Sequence, residues 1–304
     1  MTGSCVLLTN PEHAGHLAPG HPERPQRVDA ILDAIAGSDL GLVPAAAPEA
    51  PAGLISRVHD PAYLAVLEQA SAAGGGWLDP DTYLTPSSMP AARTATGGVV
   101  EGVRRVVAGE SRSAFAVIRP PGHHAETARA MGFCLFNNVA VAVIEARQRG
   151  INRVAVIDFD VHHGNGTQHT FSNDPDLLYV STHQYPFYPG TGGPDEQTET
   201  TLNLPLQSGS GDKEFLSAYE REVGPAVDRF APELLLVSAG FDAHADDPIA
   251  GLRVSTAAYG ELAHMIRGWA DQHAQGRSVW ALEGGYNLEA IGQSVVACLR
   301  VLLA

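Results

Sequence analysis

From residue 114 onward the chain repeats one pattern. A short, unbroken apolar run is followed by a polar, glycine-bearing stretch. Then comes a longer segment in which apolar residues recur every three or four positions. The runs at 114–118, 153–158, 177–181, 234–238 and 278–282 are rich in Val, Leu, Ile and Ala, and read as strands buried on both faces. The segments at 136–149, 213–230, 256–273 and 288–303 read as helices. Strands alternating with helices predict an α/β fold with a parallel sheet covered on both sides. Before residue 114 the pattern is looser. One helix is expected where Val28, Ile31, Leu32 and Ile35 share a face. A second should start at Asp60-Pro61, with Asp as cap and Pro in the first turn. A third should follow a cap at Ser87 or Ser88 and carry Val99, Val103 and Val107. Pro- and Gly-rich stretches at 16–27, 44–51 and 74–76 read as connections. No composition break or repeat divides the chain, so residues 1–304 are expected to form a single domain.

The run at 153–158 leads straight into Asp158-Phe159-Asp160-Val161-His162-His163-Gly164-Asn165-Gly166. In an extended chain, residues two apart point the same way, so Asp158, Asp160 and His162 are expected to project together. An open parallel sheet binds its ligands at the carboxyl ends of its strands, and this is such an end. A plain polar loop is the competing reading. It would bury several ionisable groups with neither a metal nor a partner, which is costly. The stretch therefore points to metal chemistry. His123, His124, Asp242 and Tyr286 also lie just after predicted strands, on the edge where those loops open together. Taken singly, each has an ordinary explanation: an Asp there usually caps a helix, and a Tyr usually packs. Their repeated placement is what makes a shared site the better expectation.

Composition narrows the classes. Nineteen basic and 34 acidic residues give a formal charge of −15, which argues against a direct nucleic-acid partner. The acidity favours a cationic substrate or partner, or serves solubility alone. There is no run of eighteen apolar residues and no basic-then-apolar leader, so neither a membrane span nor a secretory signal is expected. Cys5, Cys134 and Cys298 are widely spaced and form no CxxC pair. That argues against a disulfide framework or a thiolate zinc site, and suits a reducing cytoplasm. The oligomeric state is left open, a homo-oligomer included.

These residues resemble the histone deacetylase superfamily of zinc-dependent amidohydrolases, along nearly the whole chain. The likeness rests on Pro120-Pro121-Gly122-His123-His124, on Gly132-Phe133-Cys134 with Asn137-Asn138, and on the stretch from Asp158 to Gly166. It continues in Tyr188-Pro189-Gly190-Thr191-Gly192, Gly240-Phe241-Asp242-Ala243 and Glu283-Gly284-Gly285-Tyr286-Asn287. The His21-Pro22-Glu23-Arg24-Pro25 loop and Asp81-Thr82-Tyr83 look like the class II branch and its bacterial relatives. The fold implied is that of the arginases and deacetylases, a mostly parallel sheet of about eight strands with helices on both faces.

The resemblance implies one Zn²⁺ held by Asp160, His162 and Asp242, leaving a coordination site open as catalytic zinc requires. Two carboxylates and one imidazole make a hard site, in which Fe²⁺ or Co²⁺ could substitute. His124 is implied as the general base and acid, with Asn165 behind it where another branch has Asp. His123, paired with Asp158, would support it electrostatically. Tyr286 would donate its hydroxyl to the carbonyl and then to the oxyanion. Gly132, Phe133 and Tyr188 match the walls of an acyl-lysine tunnel, where Tyr188 replaces the commoner Phe. Ser181 and Thr182, with Asp158, Asp160 and the His162 carbonyl, match a potassium site. Phe171, Asp174 and Leu177 match a second one. Arg27 matches an arginine of the inner cavity, against the reading of an ordinary surface arginine. Some polyamine deacetylases carry a Glu gatekeeper after the Asp-Pro that follows the last zinc ligand; here Ile249 follows Asp247-Pro248. That favours acetyl-lysine in protein or peptide as substrate, with an acetylpolyamine or another small acylated amine as the alternative. A two-manganese ureohydrolase and a silent binding protein are the remaining readings.

Overall fold

The five apolar runs fold as the central strands of one sheet. The structure, a computed structural model, describes residues 4–304. Its strands, in chain order, are β1 Cys5–Thr9, β2 Ala45–Ala46, β3 Gly76–Trp77, β4 Tyr83–Leu84, β5 Ser113–Val117, β6 Val154–Asp158, β7 Leu177–Gln184, β8 Thr201–Leu206, β9 Leu234–Ala239 and β10 Ser278–Leu282. Eight of them form a sheet in the order β2-β1-β5-β10-β9-β6-β7-β8. Every pairing in that sheet is parallel. Strands β3 and β4 form a separate antiparallel hairpin.

Successive side chains of a strand point to opposite faces, and both faces here are covered. Helix Ser88–Val107 crosses the face that carries Leu8, Ala114 and Val279. It approaches so closely at Gly102 that an added Cβ would stand 2.9 Å from Val279 Cγ1 and 3.1 Å from Ala114 Cβ. On the other face Phe115 stacks on Trp280, and Trp280 meets Phe159, which meets Tyr259 of helix Thr256–His273. Helix Leu288–Leu303 packs against both Gln26–Ala36 and Thr256–His273. All residues of β5, β6, β9 and β10 are buried, which is why those runs lack the polar alternation of a half-exposed strand.

The differences from the pattern have local causes. Strands β1 to β4 and β8 were not expected. Strands β2, β3 and β4 have two residues each, and β8 is a half-exposed edge strand interrupted by Pro205. The helix expected at 136–149 begins at Asn138, where Asn137 caps it by accepting from Ala140 N. The helix expected at 213–230 is Asp212–Ala218, a wider turn at Tyr219–Val223, and Gly224–Phe230. Pro225 has no N–H to offer the preceding turn, so the ladder widens there. Asp60 caps its helix through Ala62 N as expected. Neither Ser87 nor Ser88 caps the next one: Ser88 Oγ instead accepts from Thr85 N and bonds to His16 Nδ1. Among the described residues no helix is long and apolar enough to cross a membrane.

Candidate active site

Strand β6 ends at Asp158. The Asp158 carboxylate is taken up by other partners and is not part of the group that Asp160 and His162 form. Its Oδ2 lies 3.0 Å from His123 Nδ1 and accepts from the Tyr179 hydroxyl at 3.1 Å, while its Oδ1 accepts from Asp160 N. Asp160 and His162 are met instead by Asp242, from the loop after β9. His162 Nδ1 is 3.0 Å from Asp160 Oδ1 and 3.2 Å from Asp242 Oδ2. The ligand atoms of the three residues all lie within 4.8 Å of one another, and all three residues are buried.

This donor set fits a divalent cation. Asp242 Oδ2 is buried with no aligned donor, although its Oδ1 accepts from Val161 N. Asp160 Oδ2 accepts from Gly284 N at 2.7 Å. A Cβ at Gly284 would come within 2.2 Å of Asp242 Oδ2 and 2.5 Å of Asp160 Oδ2, so only glycine lets this backbone close the site. Burial, and then the charge of Asp160, push Asp242 up to about 7. Burial works to lower His162, but the Asp160 and Asp242 carboxylates outweigh it and carry the ring to about 10. Two carboxylates crowding one imidazole in a dry pocket call for positive charge, and a metal ion supplies more of it than a single shared proton.

His123 and His124 follow β5 and stand side by side, ring centroids 4.0 Å apart. Their surroundings drive them in opposite directions. Burial disfavours a charged His123, but Asp158 and Asp160 prevail and raise it to about 10. His124 is pushed well below the ordinary value, by burial first and then by the neighbouring His123 and His162 charges. Its Nδ1 is 2.8 Å from Asn165 Oδ1, a neutral partner that restores little. The surroundings thus favour the charged form of His123 and the neutral form of His124.

Two supporting residues were given no role from the sequence. The Tyr179 hydroxyl holds Asp158 from inside β7. Glu283, fully buried, accepts from Gly122 N at 2.6 Å and from His123 N at 3.2 Å, and so fixes the histidine loop to the end of β10. Burial raises Glu283 to about 7, against the lowering pull of His123. Its place after an apolar run was visible; which backbone it would grip was not.

A cavity of about 190 Å³ opens onto these groups, with Gly132, Phe133, Tyr188 and Ile249 in its walls and His124 and Tyr286 deep inside. Asp81 and Phe187 also line it, and sequence reasoning had assigned neither. Phe187 stacks on His162 with centroids 5.4 Å apart. Phe133 has φ 71°, a region that a bulky residue enters only under constraint. The Thr82 hydroxyl accepts from its N–H, and its ring meets Tyr286 edge-on at 5.9 Å. Tyr188 stands at the mouth, 36% exposed, edge-on to His124. Gly132 faces His124 so closely that an added Cβ would lie 2.3 Å from its Cδ2.

Arg27 is not a surface residue. It is fully buried, donates to the carbonyls of Gly285 and Glu283, and lies 4.9 Å over the Tyr286 ring. Ser181 and Thr182 are buried in β7, with Ser181 in register with Asp158. Ser181 Oγ bonds to His183 Nδ1, and Thr182 Oγ1 has no partner among the described residues. Phe171 closes a short helix and Leu177 opens β7, while Asp174 between them pairs with Arg147.

Comparison with known proteins gives the same picture from another side. The family description "Histone deacetylase domain" matches residues 21–302. Histone deacetylase 14, chloroplastic, of Arabidopsis thaliana is 42% identical over 95% of this chain and 74% of its own length. The histone deacetylase-like amidohydrolase of Pseudomonas aeruginosa is 40% identical over 91% of this chain and 74% of its own. The crystal structure of the HDA15 HD domain superposes with a TM-score of 0.93 at 35% identity, covering 98% of this chain and 91% of that one. A site built on an arginase/deacetylase sheet, a family match over almost the full length and this depth of identity have one meaning: the chain belongs to the histone deacetylase family.

Proposed function

We propose that the protein is a zinc-dependent deacetylase that hydrolyses the amide of an acylated amine, N-acetyl-lysine in protein or peptide first, to the free amine and acetate. The observation that carries this reading is the convergence of Asp160, His162 and Asp242 beneath an aromatic-walled cavity that also holds His124 and Tyr286. When bound by those three side chains, zinc supplies Lewis acidity to the scissile carbonyl and lowers the pKa of water.

The chain's own residues do the rest. The neutral His124 removes a proton from the attacking water and later delivers it to the leaving amine. His123, paired with Asp158, supports His124 electrostatically from the neighbouring position. The Tyr286 hydroxyl donates to the carbonyl oxygen as negative charge builds on it. Phe133 and Tyr188 flank the aliphatic part of the substrate and keep water from it. Ile249 makes the outer wall apolar. Asp81 at the same cavity is the observation that favours the second reading, a small acylated amine with a further ammonium group.

The test is hydrolysis of an acetyl-lysine peptide and of monoacetylated diamines by the zinc-loaded protein, with and without a hydroxamate chelator. Chelator-sensitive turnover with higher kcat/KM on the peptide supports the first reading. A preference for the diamine selects the second, and no turnover of any acyl amide rejects both.

A further inference from the structure

The histidine read above as the base is backed by two hydrogen bonds in series that end on a carboxylate. Asn165 Oδ1 faces His124 Nδ1 at 2.8 Å, and Asn165 Nδ2 donates to Glu126 Oε1 at 2.9 Å. A side-chain amide has an oxygen that only accepts and a nitrogen that only donates. The Glu126 carboxylate accepts, so it fixes which way the amide lies: Nδ2 outward to Glu126, Oδ1 inward to His124. Because Oδ1 cannot donate, the proton of a neutral imidazole has to be on Nδ1, and Nε2 is left with its lone pair. With the amide flipped, Nδ2 would donate to Nδ1. The ring proton would then sit on Nε2, where the ring can accept nothing.

The other acceptors near Asn165 Nδ2, Met131 Sδ at 3.4 Å and the His124 carbonyl at 3.5 Å, are weaker and cannot hold the orientation as firmly. Glu126 is itself anchored. Its N–H donates to Arg129 O at 2.9 Å, and its carbonyl lies 3.0 Å from His59 Nδ1. His59 Nε2 accepts from Asn137 N at the start of the next helix. The segment carrying Glu126 is thus tied to the scaffold at both its backbone groups.

We propose that Glu126 is a positioning residue for the hydrolysis: it locks the Asn165 amide and, through it, the Nδ1–H tautomer of His124. A neutral Asn at position 165 can do the work of a carboxylate only because a carboxylate stands behind it. The proposal rests on His124 being the base, so its test includes a reading that does not depend on turnover.

The experiment records ¹⁵N ring signals of histidine-labelled, zinc-loaded protein together with kcat and KM on an acetyl-lysine peptide. The variants are Glu126→Leu, Glu126→Gln, Asn165→Asp and the pair Asn165→Asp/Glu126→Gln. In the parent, His124 is expected to carry its proton on Nδ1. Glu126→Leu is expected to populate Nε2–H and to lower kcat about ten- to a hundredfold, as loss of an outer-layer partner does, with KM and zinc content unchanged. Asn165→Asp sets two carboxylates face to face and lowers kcat. Adding Glu126→Gln restores a donor opposite the new carboxylate and is expected to return at least about tenfold of that loss. A Glu126 of merely structural value would lower the melting temperature without moving the tautomer. An Nε2–H His124 in the parent, a Glu126→Leu protein with parental kcat and ring signals, or a pair no faster than Asn165→Asp overturns the proposal. Should Glu126→Leu not fold, the comparison of Asn165→Asp with the pair still decides it, while Glu126→Gln alone, whose Oε1 can still accept from Asn165 Nδ2, is expected to keep the parental ring signals. A parent that hydrolyses no acyl amide defeats the functional reading, while the ring signals still judge the tautomer.

Discussion

Asp242 shows how one residue depends on what it faces. Buried beside Asp160, its carboxyl is pushed up to about 7, and only a positive partner makes the charged form comfortable there. Asp242→Ala is therefore expected to leave the protein without bound zinc after gel filtration, measured by atomic emission. Tyr286→Phe is expected to keep its zinc and lose about a hundred- to a thousandfold in kcat, the usual cost of removing an oxyanion donor. A Tyr286→Phe enzyme as fast as the parent would remove that role from Tyr286. At this scale the sequence was informative, because ionisable residues placed after apolar runs can be read without coordinates. It misled at Asp158, whose carboxylate faces His123 and Tyr179 and not the triad. It was silent on Tyr179 and Glu126 and on the role of Glu283, whose importance lies in partners distant along the chain. The contrast between His123 and His124 was likewise invisible: neighbours in sequence, they differ because Asp158 stands behind one and a neutral Asn165 behind the other.

Elements are held to one another by charges as well as by packing. Glu23, fully buried, takes Arg119 Nε and Nη2 on its two oxygens at 2.7 Å each, and Arg27 Nη1 at 3.0 Å. Arg119 also reaches the His13 carbonyl and the Tyr83 hydroxyl. Through Arg27 the same carboxylate ties helix Gln26–Ala36 to the Glu283–Gly285 backbone beneath Tyr286. Burial alone would raise Glu23, yet the two guanidiniums hold it at about 2. Removing one partner of a buried pair leaves charge without compensation, so Glu23→Ala is expected to cost about 3–5 kcal/mol in urea unfolding. A loss under about 1 kcal/mol, the range of exposed ion pairs, would show that the network is not dry. Of the elements themselves, those made of long apolar runs were legible: 256–273, 278–282 and 288–303 stand as expected. Edge strand β8, with polar residues and a proline, carried too little pattern, and the widened turn at Tyr219–Val223 follows from a proline whose effect falls on the preceding turn.

Across the whole molecule, acid should act through histidines buried neutral. Burial lowers His59 and His163 to about 4 and His16 and His183 to about 3, against an ordinary 6.5. Unfolding exposes these rings, so below pH 6.5 the unfolded chain binds protons that the folded one refuses. Their contribution is complete above the ordinary value and is lost as pH falls towards the depressed ones, each ring contributing up to about 1.4 kcal/mol per pH unit. The formal charge of −15 works the other way, since protonating surface carboxylates relieves repulsion. It does so mainly below pH 5, where those groups titrate. Glu283 and Asp242, raised to about 7, take up protons in the folded state over the same interval and offset part of this loss. The urea midpoint is therefore expected to drop between pH 7 and pH 5 by less than the four rings alone would give, and a midpoint that rises over that interval would mean that the rings are not buried neutral.

The sheet, the five loops at its carboxyl edge and the buried triad serve one end if a single cation completes them. The most direct measurement follows kcat/KM for an acetyl-lysine peptide as zinc is added in known equivalents to metal-stripped protein. Activity is expected to rise in proportion to zinc and to level off at one equivalent per chain. Activity that survives stripping unchanged, or a break at two equivalents, would contradict a one-zinc amidohydrolase.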